Sequence, residues 1–314
     1  MVFAKLFLDI LYGRLFPPAD PRKSFAGKTI LVTGGTSGLG LEAAKKLAAL
    51  DAFTVIITAR NQAKGELAKK EIEEASRKKA SDDLDVQVWP LDMSDFDSIK
   101  QFVDRVNSEL SRLDAAILNA GTITRPYQQV SEKNGSWEMT LMANAIATIF
   151  LGLLLLPKLL STSELKNADP LDPPHLCFVS STSATALSPA QCESFRSSTS
   201  VLEAANEEKS YPGGALQYMF SKLFLEYGMR HMAGLPIVNP FGKTKVIVNT
   251  VCPNFCRSNL GNQKAKVGIR ELLISFSRFL LARTTEQGSR SYVSGIQVGT
   301  DGHGKLWHND QFIE

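Results

Sequence analysis

The stretch LVTGGTSGLG at Leu31–Gly40 constrains the fold more than any other part of the chain. The run KTILVT at 28–33 has the composition of a short buried strand, and GLGLEAAKKLAAL at 38–50 has that of a helix. Between them stand Gly34, Gly38 and Gly40. Glycine lets a backbone turn through left-handed angles and leaves no Cβ between backbone and ligand. A helix opening at such a turn offers free N–H groups and the positive end of its dipole. The junction therefore predicts a nucleotide pyrophosphate site at the first strand–helix turn of a doubly wound parallel sheet. Thr33, Gly34, Thr36, Ser37, Gly38, Leu39 and Gly40 are its expected contact residues.

The rest of the chain repeats the alternation. Strand-like runs at 53–59, 85–91, 113–121, 175–181 and 244–253 are separated by helix-like runs at 62–80, 95–110, 135–160 and 215–233. Strands alternating with helices read as an α/β fold, a single Rossmann domain with a parallel sheet of about seven strands covered on both faces. At 314 residues and 44% hydrophobic, the chain is long enough for a large core. No composition break divides residues 25–314. A net charge of +3 is too small to imply a nucleic-acid partner. The four histidines lack zinc spacing, so no metal is expected. Cys177, Cys192, Cys252 and Cys256 form no C-x-x-C pair, so reduced thiols in a cytoplasmic protein are expected. Nothing in the pattern fixes the oligomeric state.

Residues 1–24 form an extension. Its apolar run carries Lys5, Asp9 and Arg14 and is shorter than the roughly 20 apolar residues of a membrane span. Phe3, Leu6, Phe7, Ile10, Leu11 and Phe16 fall mostly on one helical face, ended by Pro17-Pro18. A helix packed on the domain surface, a peripheral membrane contact and a flap at a substrate entrance all fit this pattern.

At the end of the second strand-like run, Ala59 occupies the slot where a carboxylate usually holds an unphosphorylated ribose, and Arg60 follows. A guanidinium matches a 2′-phosphate in charge and fork geometry. NADP(H) is therefore expected over NAD(H), although Arg60 stacked on adenine would also fit.

Three motifs stand in order: T-G-x-x-x-G-x-G at Thr33–Gly40, N-A-G at Asn119–Gly121, and Y-x-x-x-K at Tyr218–Lys222. Over residues 25–300 the chain resembles the short-chain dehydrogenase/reductases. VTGGTSGLG, FVSS and SKL are similar to the retinol-dehydrogenase-like branch, and the apolar N-terminus resembles fungal members that tailor secondary metabolites. The resemblance implies Asp92 and Met93 at the adenine, Asn119, Ala120 and Gly121 beside the cofactor, and Pro253 on the nicotinamide side. It also implies Ser181 as the serine that binds the substrate carbonyl, with Ser183 as a rival. Asn144 would bind a water that joins the lysine to solvent, or else satisfy a kink in its helix. The usual glycine after Pro253 is Asn254, which tolerates left-handed backbone, and Ser258 stands where threonine is common.

Tyr218 and Lys222 share a helical face. A free tyrosine titrates near 10, roughly three units above neutrality, or about 4 kcal/mol. An ammonium about 4 Å away at an effective dielectric near 20 supplies about that much. Lys222 is thus expected to lower the phenol's pKa. Residues 183–216, between Ser181 and Tyr218, form a long insertion with weak periodicity. It is expected to be mobile without ligand and to close over substrate, with Leu187, Phe195, Leu202 and Tyr211 as apolar contacts. A second cover at 257–283 carries Ile269, Leu272, Leu273, Phe276, Phe279 and Leu280 on one helical face. Self-packing against the core is the alternative use of both. The expected function is NADPH-dependent reduction of a bulky hydrophobic ketone of polyketide or terpenoid type. Oxidation of a retinoid- or steroid-like alcohol, isomerisation or dehydration through Tyr218, and a silent NADP(H)-sensing protein are the alternatives.

Overall fold

The computed structural model describes residues 2–77, 83–196, 198–235, 244–257, 260 and 281–313. Helix α1 (Val2–Leu15) precedes strand β1 (Thr29–Val32), helix α2 (Gly38–Ala49), strand β2 (Thr54–Ala59), helix α3 (Gln62–Arg77) and strand β3 (Asp85–Pro90). Next come α4 (Phe96–Glu109), β4 (Ala115–Leu118), α5 (Met139–Ser163) and β5 (His175–Val179). The inserted helices α6 (Pro189–Arg196) and α7 (Val201–Asn206) lead into α8 (Gly214–Ala233), β6 (Ile247–Cys252) and α9 (Thr285–Gly295). Strands β7 (Leu306–His308) and β8 (Gln311–Ile313) close the chain.

All the strands form one sheet in the order β3-β2-β1-β4-β5-β6-β7-β8. Only β8, against β7, is antiparallel. Every residue of β1, β2, β4, β5 and β6 is buried, as expected of parallel strands covered on both faces. Side chains alternate across β1. Leu31 joins a cluster with α4, α5 and α8, whereas Ile30 and Val32 join one with α2, α3 and α9. Strand order reverses between β1 and β4, so the crevice beyond their C-terminal ends is the topological switch point where α/β sheets bind ligands.

Helix α5 has a window of mean hydropathy 2.1, apolar and long enough by composition to cross a membrane. Here it lies between α4 and α8 over the sheet, and Leu151, Leu155 and Leu159 are fully buried. A core helix covered on several sides loses the polar stripe of a surface helix.

The sequence suggested about seven strands, and the sheet has eight. The C-terminal hairpin is built from three-residue strands, too short for a period-two pattern to register. Its signal is the turn: Asn309 and Asp310 both have positive φ (50° and 57°), as a two-residue hairpin loop requires.

The N-terminal helix forms and docks across the ends of β6 and β7, against the 3₁₀ turn Thr182–Ala186. Asn254 donates through Nδ2 to the Asp9 carbonyl at 3.1 Å, and Asp9 meets His308 at 3.0 Å. Arg283, fully buried, donates to the carbonyls of Gly13, Phe16 and Pro253 and to Asn309 Oδ1. The approach is close: a Cβ on Gly13 would lie 2.1 Å from Asn254 Nδ2. The outer face keeps Leu8, Tyr12 and Leu15 exposed. Ser258 and the expected cover helix, up to residue 280, lie outside the described residues.

Candidate active site

The glycine turn has the predicted geometry. Gly34 and Gly38 have φ of 67° and 60°. Gly34 N–H donates to Thr58 Oγ1 at 3.1 Å, pinning the turn to the second strand. Asn119 donates through Nδ2 to the carbonyls of Thr33 (2.8 Å) and Gly34 (3.3 Å), and Ala120 N–H donates to Thr33 Oγ1 at 3.0 Å. The N-A-G motif thus braces the turn from β4. A Cβ on Gly40 would lie 2.5 Å from Asn119 Nδ2 and 2.6 Å from the Gly34 carbonyl, so helix and turn close only on glycine. Apart from its own chain neighbours and helix backbone, no atom of the described residues lies within 4 Å of where a Cβ on Gly38 would stand. Ser37, the N-cap of α2, makes no side-chain cap bond. Thr36, Ser37 and Leu39 rim the opening, each at least partly exposed. An open cradle at a helix N-terminus fits a dinucleotide pyrophosphate.

At the end of β2, Ala59 is buried and Arg60 is exposed. None of the described residues pairs with the Arg60 guanidinium. Asp92 Oδ1 accepts from Ser94 N–H (2.9 Å) and Ser94 Oγ (2.7 Å), which fixes the turn after β3 beside buried Met93.

Helix α8 carries Tyr218 and Lys222 to the C-terminal end of β5. The Ser181 hydroxyl stands near enough to the Tyr218 phenol to favour its ionised form. Ser181 also caps the following 3₁₀ turn, accepting from Ser183 N–H at 3.2 Å, and its Oγ lies 2.9 Å from Ser183 Oγ. The two candidate serines thus share one turn, and of the two it is Ser181 whose hydroxyl acts on the phenol. Lys222 is buried and donates through Nζ to the Val179 carbonyl at 2.7 Å. Nζ stands 5.6 Å from the centre of the Tyr218 ring.

The electrostatics differ from the sequence expectation. Burial raises the Tyr218 pKa, the Cys252 thiol adds to the rise, and the Ser181 hydroxyl opposes it. Burial also pulls Lys222 down to about 8, against the opposing pull of Glu226 and Cys252. The lysine is itself desolvated and engaged on a backbone carbonyl, so in the protein alone desolvation of the phenol wins.

Asn144 lies in a π-helical turn, Met142–Ile146, within α5. Such turns interrupt helices where a side chain must be redirected. Its Oδ1 accepts from Thr122 N–H at 2.7 Å, and its Nδ2 donates to the Thr122 carbonyl (2.9 Å) and to Ser221 Oγ (3.1 Å). It braces the loop after Gly121 against the residue preceding Lys222. Pro253 ends β6, and Asn254 has φ of 64°, the left-handed turn expected where glycine is usual.

A short chain dehydrogenase family model matches residues 28–166. Short-chain dehydrogenase/reductase ffsI of Aspergillus flavipes is 39% identical over 295 residues, 94% of this chain and 81% of that protein. The chain belongs to the short-chain dehydrogenase/reductase family. Short-chain dehydrogenase/reductase phmF of Phaeosphaeria nodorum is 38% identical over 299 residues, 95% of this chain and 82% of that one. In fold, the chain is similar to the 3-oxoacyl-[acyl-carrier protein] reductase of Brucella melitensis solved in complex with NAD. The TM-score is 0.61 at 18% identity, over 90% of this chain and 95% of that one. Membership makes the protein an oxidoreductase that uses a nicotinamide dinucleotide.

This short-chain dehydrogenase/reductase departs from the sequence reading at its insertion. Residues 183–216 contain α6 and α7, not an unstructured loop. Phe195 is buried edge-on against Phe220 of α8, with centroids 4.9 Å apart. Tyr211 donates to the Thr124 carbonyl at 2.9 Å and packs on Tyr127. Both residues anchor the cap instead of facing substrate, so self-packing wins at these positions. Buried Glu138 and Gln217 tie the cap to α8, Gln217 donating through Nε2 to the Ala205 carbonyl (3.0 Å) and Glu138 Oε2 (3.2 Å). Sequence reading also missed Cys252 and His308, which pair across β6 and β7. Cys252 Sγ accepts from the N–H of Thr182 (3.3 Å) and of Asn254 (3.4 Å). Burial opposes ionisation of this thiol, but His308 and those two N–H groups outweigh it and lower its pKa.

Proposed function

We propose that this protein is an NADPH-dependent reductase of a bulky, apolar ketone of polyketide or terpenoid type, acting in secondary-metabolite biosynthesis. The observation that carries the reading is that α8 brings Tyr218 and buried Lys222 to the end of β5, where Lys222 Nζ is held on the Val179 carbonyl and Ser181 follows the strand. When bound, the dihydronicotinamide supplies the hydride. Ser181 Oγ donates to the substrate carbonyl oxygen and stabilises the charge that develops there. Tyr218 gives its proton to the same oxygen. Burial keeps the phenol protonated, the form that can give a proton to a carbonyl oxygen. Lys222 holds positive charge behind the phenol and draws its replacement proton from solvent.

Gly34, Gly38 and the N-terminus of α2 would hold the pyrophosphate, Asp92 and Met93 the adenine, and Arg60 the 2′-phosphate. Support for an apolar substrate comes from half-buried Leu187 of the cap, from Leu216 and Phe224 of α8 packed against it, and from α1 at the Thr182–Ala186 turn. The reading places the enzyme in the cytoplasm, with exposed Leu8, Tyr12 and Leu15 suited to a peripheral membrane contact. Titration of NADPH and NADH by fluorescence tests the cofactor assignment. A charge-assisted bond contributes about 1.5–3 kcal/mol, so wild type should bind NADPH about tenfold or more tighter than NADH. Arg60→Ala should lose mainly the NADPH affinity, and equal affinities in wild type would contradict the assignment.

A further inference from the structure

Glu226 stands one helical turn beyond Lys222 on α8, so the two side chains share a face. Its Oε2 accepts from Thr250 Oγ1 of β6 at 3.2 Å. Its Oε1 and the nearby Ser180 Oγ are both buried without a close hydrogen bond, and the hydroxyl stands near enough to favour the carboxylate. Leaving a buried carboxylate oxygen unpaired costs about 1–3 kcal/mol or more. Glutamine would keep the Thr250 bond without the charge, so hydrogen bonding alone does not account for an acid here. The charge acts on two cations along the same helix, the Arg230 guanidinium and the desolvated Lys222 ammonium, and only the second lies beside the catalytic phenol.

We propose that Glu226 is a positioning residue of the catalytic centre, whose carboxylate keeps Lys222 in its ammonium form behind Tyr218. The assignment rests on the role given to Lys222 in the proposed function. The groups facing Lys222 are Tyr218 and Glu226 on α8, the Val179 carbonyl on β5 and Cys252 on β6. Those facing Glu226 are Lys222 and Arg230 on α8, Thr250 on β6 and Ser180 beyond β5. Burial pulls Lys222 down to about 8, while Glu226 pushes it back up. Burial raises Glu226, and Ser180, Thr250, Arg230 and Lys222 pull it back. Removing the carboxylate charge leaves burial less opposed, so Lys222 gives up its proton at lower pH.

Two readouts test this in the full-length protein. In protein labelled with ¹³C at the lysine ε-carbon, the Lys222 signal is assigned by its loss in Lys222→Ala and followed with pH. Glu226→Gln, which preserves shape, should lower the Lys222 midpoint by about one unit. Glu226→Asp should restore most of the difference. The alkaline limb of NADPH-dependent turnover should move the same way. An unchanged Lys222 midpoint in folded Glu226→Gln overturns the proposal, because a purely structural carboxylate would leave it unmoved. Wild-type protein without NADPH-dependent turnover would overturn the proposed function instead, and the NMR titration would still decide the role of Glu226.

Discussion

Asp9 Oδ1 and His308 Nε2 lie 3.0 Å apart, although 299 residues separate them in sequence. Burial alone would depress His308, but the Asp9 carboxylate and the Cys252 thiol outweigh it and raise the imidazole to about 10. A histidine raised in the folded state stabilises fully below its unfolded value near 6.5. That stability is lost as pH rises through about 10. Asp9→Asn should therefore cost about 1.5–3 kcal/mol near pH 6 and progressively less toward pH 10. Denaturant unfolding of wild type and variant across this range checks it, and a cost that does not change with pH would contradict it. No spacing rule brings Asp9 to His308, so this contact was illegible in the sequence. The closeness of Tyr218 and Lys222 was legible because their spacing puts them on one helical face, whereas Ser181, far from them in sequence, came only from the resemblance. The direction of the Tyr218 pKa shift was not legible, because it depends on how much protein surrounds the phenol.

Among the elements, the inserted cap shows where periodicity fails as a guide. Helices α6 and α7 are short, and the weak periodicity of 183–216 gives no sign of them. They are held by a cap bond from Ser200 and by Phe195 against Phe220, contacts that carry no helical period. Phe195→Ala should cost about 3–5 kcal/mol within this unit. Amide exchange should rise across 189–206 while protection in β1 and β4 stays unchanged. Equal protection of the cap in variant and wild type would show that Phe195 does not anchor it. Strands β1, β2, β4, β5 and β6 were readable as mostly apolar buried runs, and β3 by its alternating valines and tryptophan. The C-terminal hairpin was missed, although its Asn309-Asp310 turn was a usable signal.

At the scale of the molecule, the order of the strands does the assembling. The sheet reverses between β1 and β4 and brings the Gly34–Gly40 turn beside Asn119. Strand β5 ends at Val179, just before Ser181, and α8 crosses behind it with Tyr218 and Lys222. Helix α1 reaches the same end of the sheet through Arg283 and His308. Motifs far apart in sequence thus converge because parallel crossovers return every strand in the same direction. Turnover of NADPH with a bulky apolar ketone, in wild type and Tyr218→Phe, tests this account most directly. The phenol supplies the proton but little of the cofactor's contact surface. The account predicts steady NADPH consumption by wild type, with Tyr218→Phe slowed by at least about 10²-fold while still binding NADPH. A Tyr218→Phe protein that reduces the ketone at the wild-type rate would contradict it.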